Sequence, residues 1–237
     1  MRAFALTYPQ LMNQAIAAGV DAPALVRLRS AHELAERLAD GVYRPHGEPF
    51  LCHLVRTASI VLAERQPVAL VETALLHATY SLRRRSRGWL RKAVGGDVES
   101  LVFAYDQLPW NSAARLERHS EGFPSYDETT RRVLLVRLAN ELEDHLDRAA
   151  AYASTDHARR RHAWRDACLA LARMACSPTL AGELEQAFDG QLDPPLPHAV
   201  VMGRDQGYTV RGKRWPELSG VRRTLRDALR RRRGRSR

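Results

Sequence analysis

The chain has 237 residues, 45% of them hydrophobic, which is enough for one sizeable folded domain plus an appendage. No apolar run approaches the roughly 20 residues that a bilayer-spanning helix needs, and the opening Met1-Arg2-Ala3-Phe4-Ala5-Leu6-Thr7-Tyr8 does not read as a secretory signal. The formal charge of +10 sits at the end: Arg211 to Arg237 holds 12 Lys and Arg against 2 Asp and Glu, so Met1 to Val210 is formally neutral. Three cysteines, Cys52, Cys168 and Cys176, stand at no metal-ligand spacing, which argues against a disulfide scaffold or zinc module and for a reduced, cytoplasmic setting.

In chain order, most segments carry the helical period. Ala31, Leu34, Ala35 and Leu38 form a buried stripe, and Gly41 ends that helix. The loop from Tyr43 to Pro49 leads into a helix over Phe50 to Ala63. Pro67, at a first-turn position, starts another helix that runs through Leu70, Ala74 and His77. The basic run Arg83 to Lys92 reads as a solvated loop that can also meet phosphates. Val98 to Tyr105 is a short amphipathic helix, and Pro109 to Pro124 reads as a loop. Ser125 with Glu128 makes a capping box for a strongly apolar, central helix through Val133, Leu138 and Leu146. His157 and His162 read as surface residues. Helices follow over Ala163 to Met174 and Leu180 to Phe188.

These elements predict an all-α fold, with a helical domain over 1–190 and an extension over 191–237. The extension begins with a Pro-rich linker. Val200-Val201-Met202 can then pair with Tyr208-Thr209-Val210 as a small hairpin. Pro216 to Arg233 forms a basic amphipathic helix with Leu218, Val221, Leu225 and Leu229 as its stripe. Such a tail can bind nucleic acid without sequence specificity through residues 211–237, or dock on the body. Nothing in the sequence sets the oligomeric state.

Three blocks carry the chemistry. They are Tyr43-Arg44-Pro45-His46-Gly47-Glu48-Pro49-Phe50-Leu51-Cys52-His53, Ala74-Leu75-Leu76-His77-Ala78, and Arg132-Val133-Leu134-Leu135-Val136-Arg137-Leu138-Ala139-Asn140. In order and spacing they resemble the hydrolase domain of the RelA/SpoT-type alarmone enzymes of the HD superfamily, over about Ser30 to Tyr152. The resemblance implies an HD-type helical bundle and a bacterial protein. In that family, guanosine tetra- and pentaphosphate are hydrolysed with a manganese ion held by two His, the Asp of a His-Asp pair and a later Asp.

Here His53 and His77 match the imidazoles, but Ala78 and Asn140 stand where the resemblance calls for carboxylates. A methyl group offers no ligand, and an amide oxygen is a poorer donor than a carboxylate to a hard cation. Ser81 and Leu82 replace the family's acidic pair, followed by Arg83, Arg84 and Arg85. The metal motif is thus degenerate and no cofactor is expected. Asp144, one turn or about 5.4 Å beyond Asn140, leaves open a shifted manganese or iron site of His53, His77 and Asp144. Arg44 matches an arginine that, by the resemblance, packs on the guanine base, while Pro45 and His46 depart from the family's residues there.

The leading expectation is a pseudo-enzyme that binds a nucleotide or other phosphorylated small molecule in the former active site. Arg44, His46 and Asp144 would act as ligand-binding residues. The competing expectation is a divergent HD-family enzyme using His53, His77, Tyr80 and Asn140 as acid, base or oxyanion groups. Tyr80, one turn from His77, either lines that cavity or is a half-buried structural tyrosine. The two histidines, likewise, are otherwise hydrogen-bonded core residues. A third expectation is a nucleic-acid-associated protein working through its tail.

Overall fold

The structure, a computed structural model, describes residues 1–83, 85–204 and 209–210. The basic helix expected over Pro216 to Arg233, with the rest of the Arg-rich tail, lies outside the described residues. The elements in order are α1 (Tyr8–Ala17), α2 (Ala22–Ala39), β1 (Val42–Tyr43), α3 (Phe50–Ala63), α4 (Val68–Leu76), α5 (Thr79–Leu82), α6 (Arg87–Val94), α7 (Gly96–Gln107), α8 (Ala113–Gly122), α9 (Glu128–His145), α10 (Ala149–Ala153), α11 (Thr155–His162), α12 (Arg165–Ala175), α13 (Pro178–Gly190) and β2 (Thr209–Val210). The chain is all-α, apart from the short β1–β2 pair.

The central helix is α9, which touches α3, α4, α7, α12 and α13. It buries Val133, Leu134, Leu135, Val136, Leu138, Ala139 and Leu142, residues that run around its circumference and not along one stripe. Neighbours on several sides are what such a helix requires. The helices α3 and α4 pack on each other and on α9, with Leu54, Val55, Ala58, Val61, Leu70, Val71 and Leu75 at 1% exposure or less. This packing sets His53 of α3 and His77, at the end of α4, beside the inner face of α9.

Several local expectations are corrected. The segment 109–124 is not all loop: α8 occupies most of it, anchored by fully buried Leu116 and by His119 stacked on Trp110. Its sequence, Ala-Ala-Arg-Leu-Glu-Arg-His-Ser-Glu-Gly, holds too few apolar residues to show a stripe. The cap of α9 is Asp127, whose carboxylate accepts from the Thr130 amide; Ser125 lies in a 3-10 turn and donates to the Gly122 carbonyl. Among the described residues Val200-Val201-Met202 forms no strand with Thr209–Val210; Tyr208 lies outside the described residues. Thr209–Val210 pairs antiparallel with Val42–Tyr43, just beyond the end of α2, where Gly41 adopts a φ of +71°. Met202 instead donates its amide to the Tyr152 carbonyl at 2.8 Å.

The basic run after residue 82 is also more than a solvated loop. Ser86 caps α6, and the guanidinium groups of Arg87 and Arg91 close on Glu99 of α7. Tyr80 donates to the same carboxylate at 3.1 Å. The hydrogen bonds from Arg87, against the cost of burial, hold Glu99 down to about 2. A carboxyl depressed from its unfolded value near 4.3 adds stability that is present above that value and lost as pH falls towards 2. Wild type should therefore exceed Glu99→Gln in stability at pH 7, with the gap closing between about pH 4.5 and 2. Urea denaturation across that range checks this, and a gap that does not vary with pH would refute it.

Past α9 the chain turns sharply. Asp147 and Arg148 sit consecutively in the left-handed region, with φ of +54° and +58°. The α10–α11 pair that follows does not join the main core. Ala150, Ala151 and Ala158 form a small separate cluster with Leu192 and Leu196.

Candidate functional site

The imidazoles of His53 and His77 meet with their Nε2 atoms 3.3 Å apart. His77 Nδ1 lies 2.7 Å from the Ala74 carbonyl. A carbonyl only accepts, so Nδ1 carries the proton and His77 Nε2 is a lone pair. Burial, then the nearby His53, pushes the His77 pKa down to about 3, which keeps the ring neutral. On its other edge, His53 Nδ1 bonds to Glu143 Oε2. Glu143 is fully enclosed and also accepts two hydrogen bonds from Arg44 Nη1, at 2.8 and 3.0 Å.

The next residue extends this network. Asp144 accepts from Arg44 Nη2 at 2.5 Å and from Arg161 Nη2 at 2.6 Å. Burial alone would raise its pKa, but Arg161 and Arg44 outweigh that and hold it below the usual carboxylate range. Arg161 also reaches Glu141 at 2.8 Å, and Arg56 bridges Glu48 and Asp147 at 3.1 Å each. Asn140 Oδ1 accepts from the Tyr105 hydroxyl at 2.9 Å, and burial pushes that tyrosine up to about 12.

One guanidinium stands apart. Arg137 donates to the Tyr105 carbonyl at 2.9 Å and lies over the Tyr105 ring at 3.8 Å. Among the described residues it makes no ion pair, and its buried Nε has no hydrogen-bond partner. It faces a cavity of about 310 Å³.

Arg44, His46, His53, His77, Asn140 and Asp144 all line that cavity. Tyr80 does not; its hydroxyl donates to Glu99. His157, expected on the surface, lines the cavity from α11. His162 is half-buried, with its ring 6.2 Å from that of Phe188. Tyr105, Arg137, Glu143 and Arg161 are the residues that sequence reasoning did not assign to the site. Arg137 had a signal, since it precedes Asn140 by three and shares its helical face. Arg161 had none, because only the fold brings α11 over α9.

The donors present do not fit a hard divalent cation. The edge between the histidines offers two imidazole nitrogens, the Ala78 methyl and an amide oxygen already taken by Tyr105. His53, His77 and Asp144 do not turn their donor atoms to one common point. His53 turns Nε2 to His77 and Nδ1 towards Asp144, 3.9 Å away, so the two would-be partners lie on opposite edges of one ring. Ligand atoms of His53, Glu143 and Asp144 do come within 4.8 Å of one another. Both carboxylates, however, are already held by arginines.

A helical bundle enclosing a cavity between paired histidines and a central helix is the architecture of the HD type. The particular likeness is to the solved structure of a metazoan ortholog of SpoT, described as hydrolysing ppGpp and playing a role in starvation responses. The TM-score is 0.55 at 18% identity, covering 70% of this chain and 95% of that one. This shows the fold: an all-α, HD-type bundle. Residues 33–109 match a family model described as a domain of unknown function (DUF6817). No curated protein matches the sequence. No helix among the described residues is long and apolar enough to cross a membrane.

Proposed function

We propose that this chain is a degenerate HD-type protein that binds a phosphorylated small molecule, such as a nucleotide, in the cavity and lacks the conventional metal-dependent hydrolysis. The observation that carries this reading is Arg137, a guanidinium facing the cavity with its Nε unpartnered and no ion pair among the described residues. Arg44 and Arg161 are already ion-paired with Glu143, Asp144 and Glu141, although the buried Arg161 Nε also lacks a hydrogen-bond partner. A planar cation with spare N–H groups suits a phosphate oxygen pair. The Tyr105 ring beneath it and the neutral His77 leave its charge to be balanced by a ligand. The missing carboxylates at 78 and 140 support the non-catalytic half of the reading, because the two imidazoles lack the anionic partners a hard cation requires.

Isothermal titration of the full chain with inorganic phosphate, AMP and GDP tests the binding. Hydrogen bonds to charged groups contribute about 1.5–3 kcal/mol, so Arg137→Gln should weaken the bound phosphate compound by roughly 10–150-fold. Equal affinity in wild type and variant would overturn the anion site. Incubation with guanosine tetraphosphate and manganese should release no pyrophosphate. Release that disappears in His53→Ala would overturn the non-catalytic reading.

A further inference from the structure

A second cavity, of about 200 Å³, lies on the other side of α10. Ala149 and Tyr152 line it, whereas Ala150 and Ala153 line the first, so the short helix divides the two. Its remaining apolar wall is Val200 and Met202. Tyr152, Val200 and Met202 are 39%, 46% and 43% exposed. Scattered apolar residues need no explanation, but a cluster around a concavity does. That wall is a built one: Met202 and Arg204 donate their amides to the Tyr152 and Ala153 carbonyls, both at 2.8 Å.

The polar side is equally ordered. The Arg56 guanidinium is buried and fixed between Glu48 and Asp147, and His46 pairs with Glu48. Arg56 is paired with both carboxylates, so this side offers no free cation to an anionic ligand. Asp147 uses Oδ2 on Arg56 and is largely exposed at the rim, where its other oxygen can accept an N–H. A tyrosine ring and a thioether favour flat aromatic surfaces, and a guanidinium plane stacks on the same surfaces.

We propose that this cavity is a second binding site, which takes an uncharged planar nitrogen heterocycle between Tyr152, Met202 and the Arg56 plane, with its N–H directed to Asp147. The short helix α10 separates the site from the anion cavity, and His46 stands on the wall of both. The test uses the full chain with a carbon-13 label on the methionine methyl groups, titrated with indole and adenine, and with cyclohexanol as a non-planar control. The Met202 methyl signal should shift saturably with both heterocycles and not with cyclohexanol. Tyr152→Ala should weaken that binding about 2–10-fold, the range of one aromatic contact. Val200→Asp, at an exposed position, should weaken it as well, and Arg137→Gln should leave it unchanged. The proposal is overturned by an absent or non-saturating shift, by an equal response to cyclohexanol, or by indifference to both wall variants. It is also overturned if the cavity admits the probes only in a chain truncated after Val210, which would make the chain's own tail the occupant.

Discussion

Glu143→Ala is expected to cost about 3–5 kcal/mol of folding stability, the range for removing one partner of a buried ion pair. The reason lies in what remains. Arg44 is only 7% exposed, and two of its hydrogen bonds end on Glu143. His53 loses its acceptor in the same step. Against a typical total of 5–15 kcal/mol, the variant should melt far below wild type or fail to accumulate. The double variant Arg44→Leu/Glu143→Leu should be much closer to wild type, since replacing both charges leaves no unpaired ion in the interior. Urea midpoints for Arg44→Leu, Glu143→Leu and the double variant form the cycle. A Glu143→Ala cost under about 1 kcal/mol would show that the network does not hold the fold.

The second large effect is a gain. Ala78→Asp with Asn140→Asp should raise manganese affinity by more than about 100-fold over wild type. Loss of residues that merely support metal ligands costs 10–100-fold, and here two anionic ligands are restored directly. Both positions line the cavity beside His53 and His77, and the Tyr105 hydroxyl already stands 2.9 Å from the Asn140 oxygen to orient a carboxylate there. Titration with manganese in the two proteins reads the difference. Binding by wild type as tight as that of the double variant would mean that other residues hold the ion and that the non-catalytic assignment is wrong, and no binding by either would refute the predicted gain.

The architecture was legible where local pattern and burial coincide. The helices α2, α12 and α13 carry apolar residues at the helical period and pack as that period implies, while the more apolar α3, α4 and α9 are buried on several sides. It was illegible where charge hides a helix, as in α8, or where a remote carboxylate organises basic residues, as Glu99 does for Arg87 and Arg91. Within the site, the paired histidines and the neighbouring Asn140 follow from the three sequence blocks. The pairing of Arg44 with Glu143 and of Arg161 with Asp144 does not. Partners 99 and 17 residues apart are chosen by helix packing, and any of several acids on α9 would have satisfied the sequence. Arg44 shows the difference most plainly: the resemblance implies a surface for a base, and the structure makes its donors part of an internal ionic lattice.

The turn at Asp147 and Arg148 divides the anion cavity into parts of unequal cohesion. Its floor, built on α3, α4 and α9, belongs to the main core. Its roof, Ala150, Ala153, His157 and Arg161, belongs to α10 and α11, which share only a small alanine cluster and are fastened to α9 through Arg161. Two consecutive left-handed non-glycine residues at the junction carry strain of order 1–3 kcal/mol each, which favours release of the roof over release of the floor. Protein segments with few apolar contacts open as separate cooperative units at a fraction of the global free energy. Release of α10 and α11 would open the cavity from above, and the ion pairs of Arg161 with Glu141 and Asp144 oppose that release.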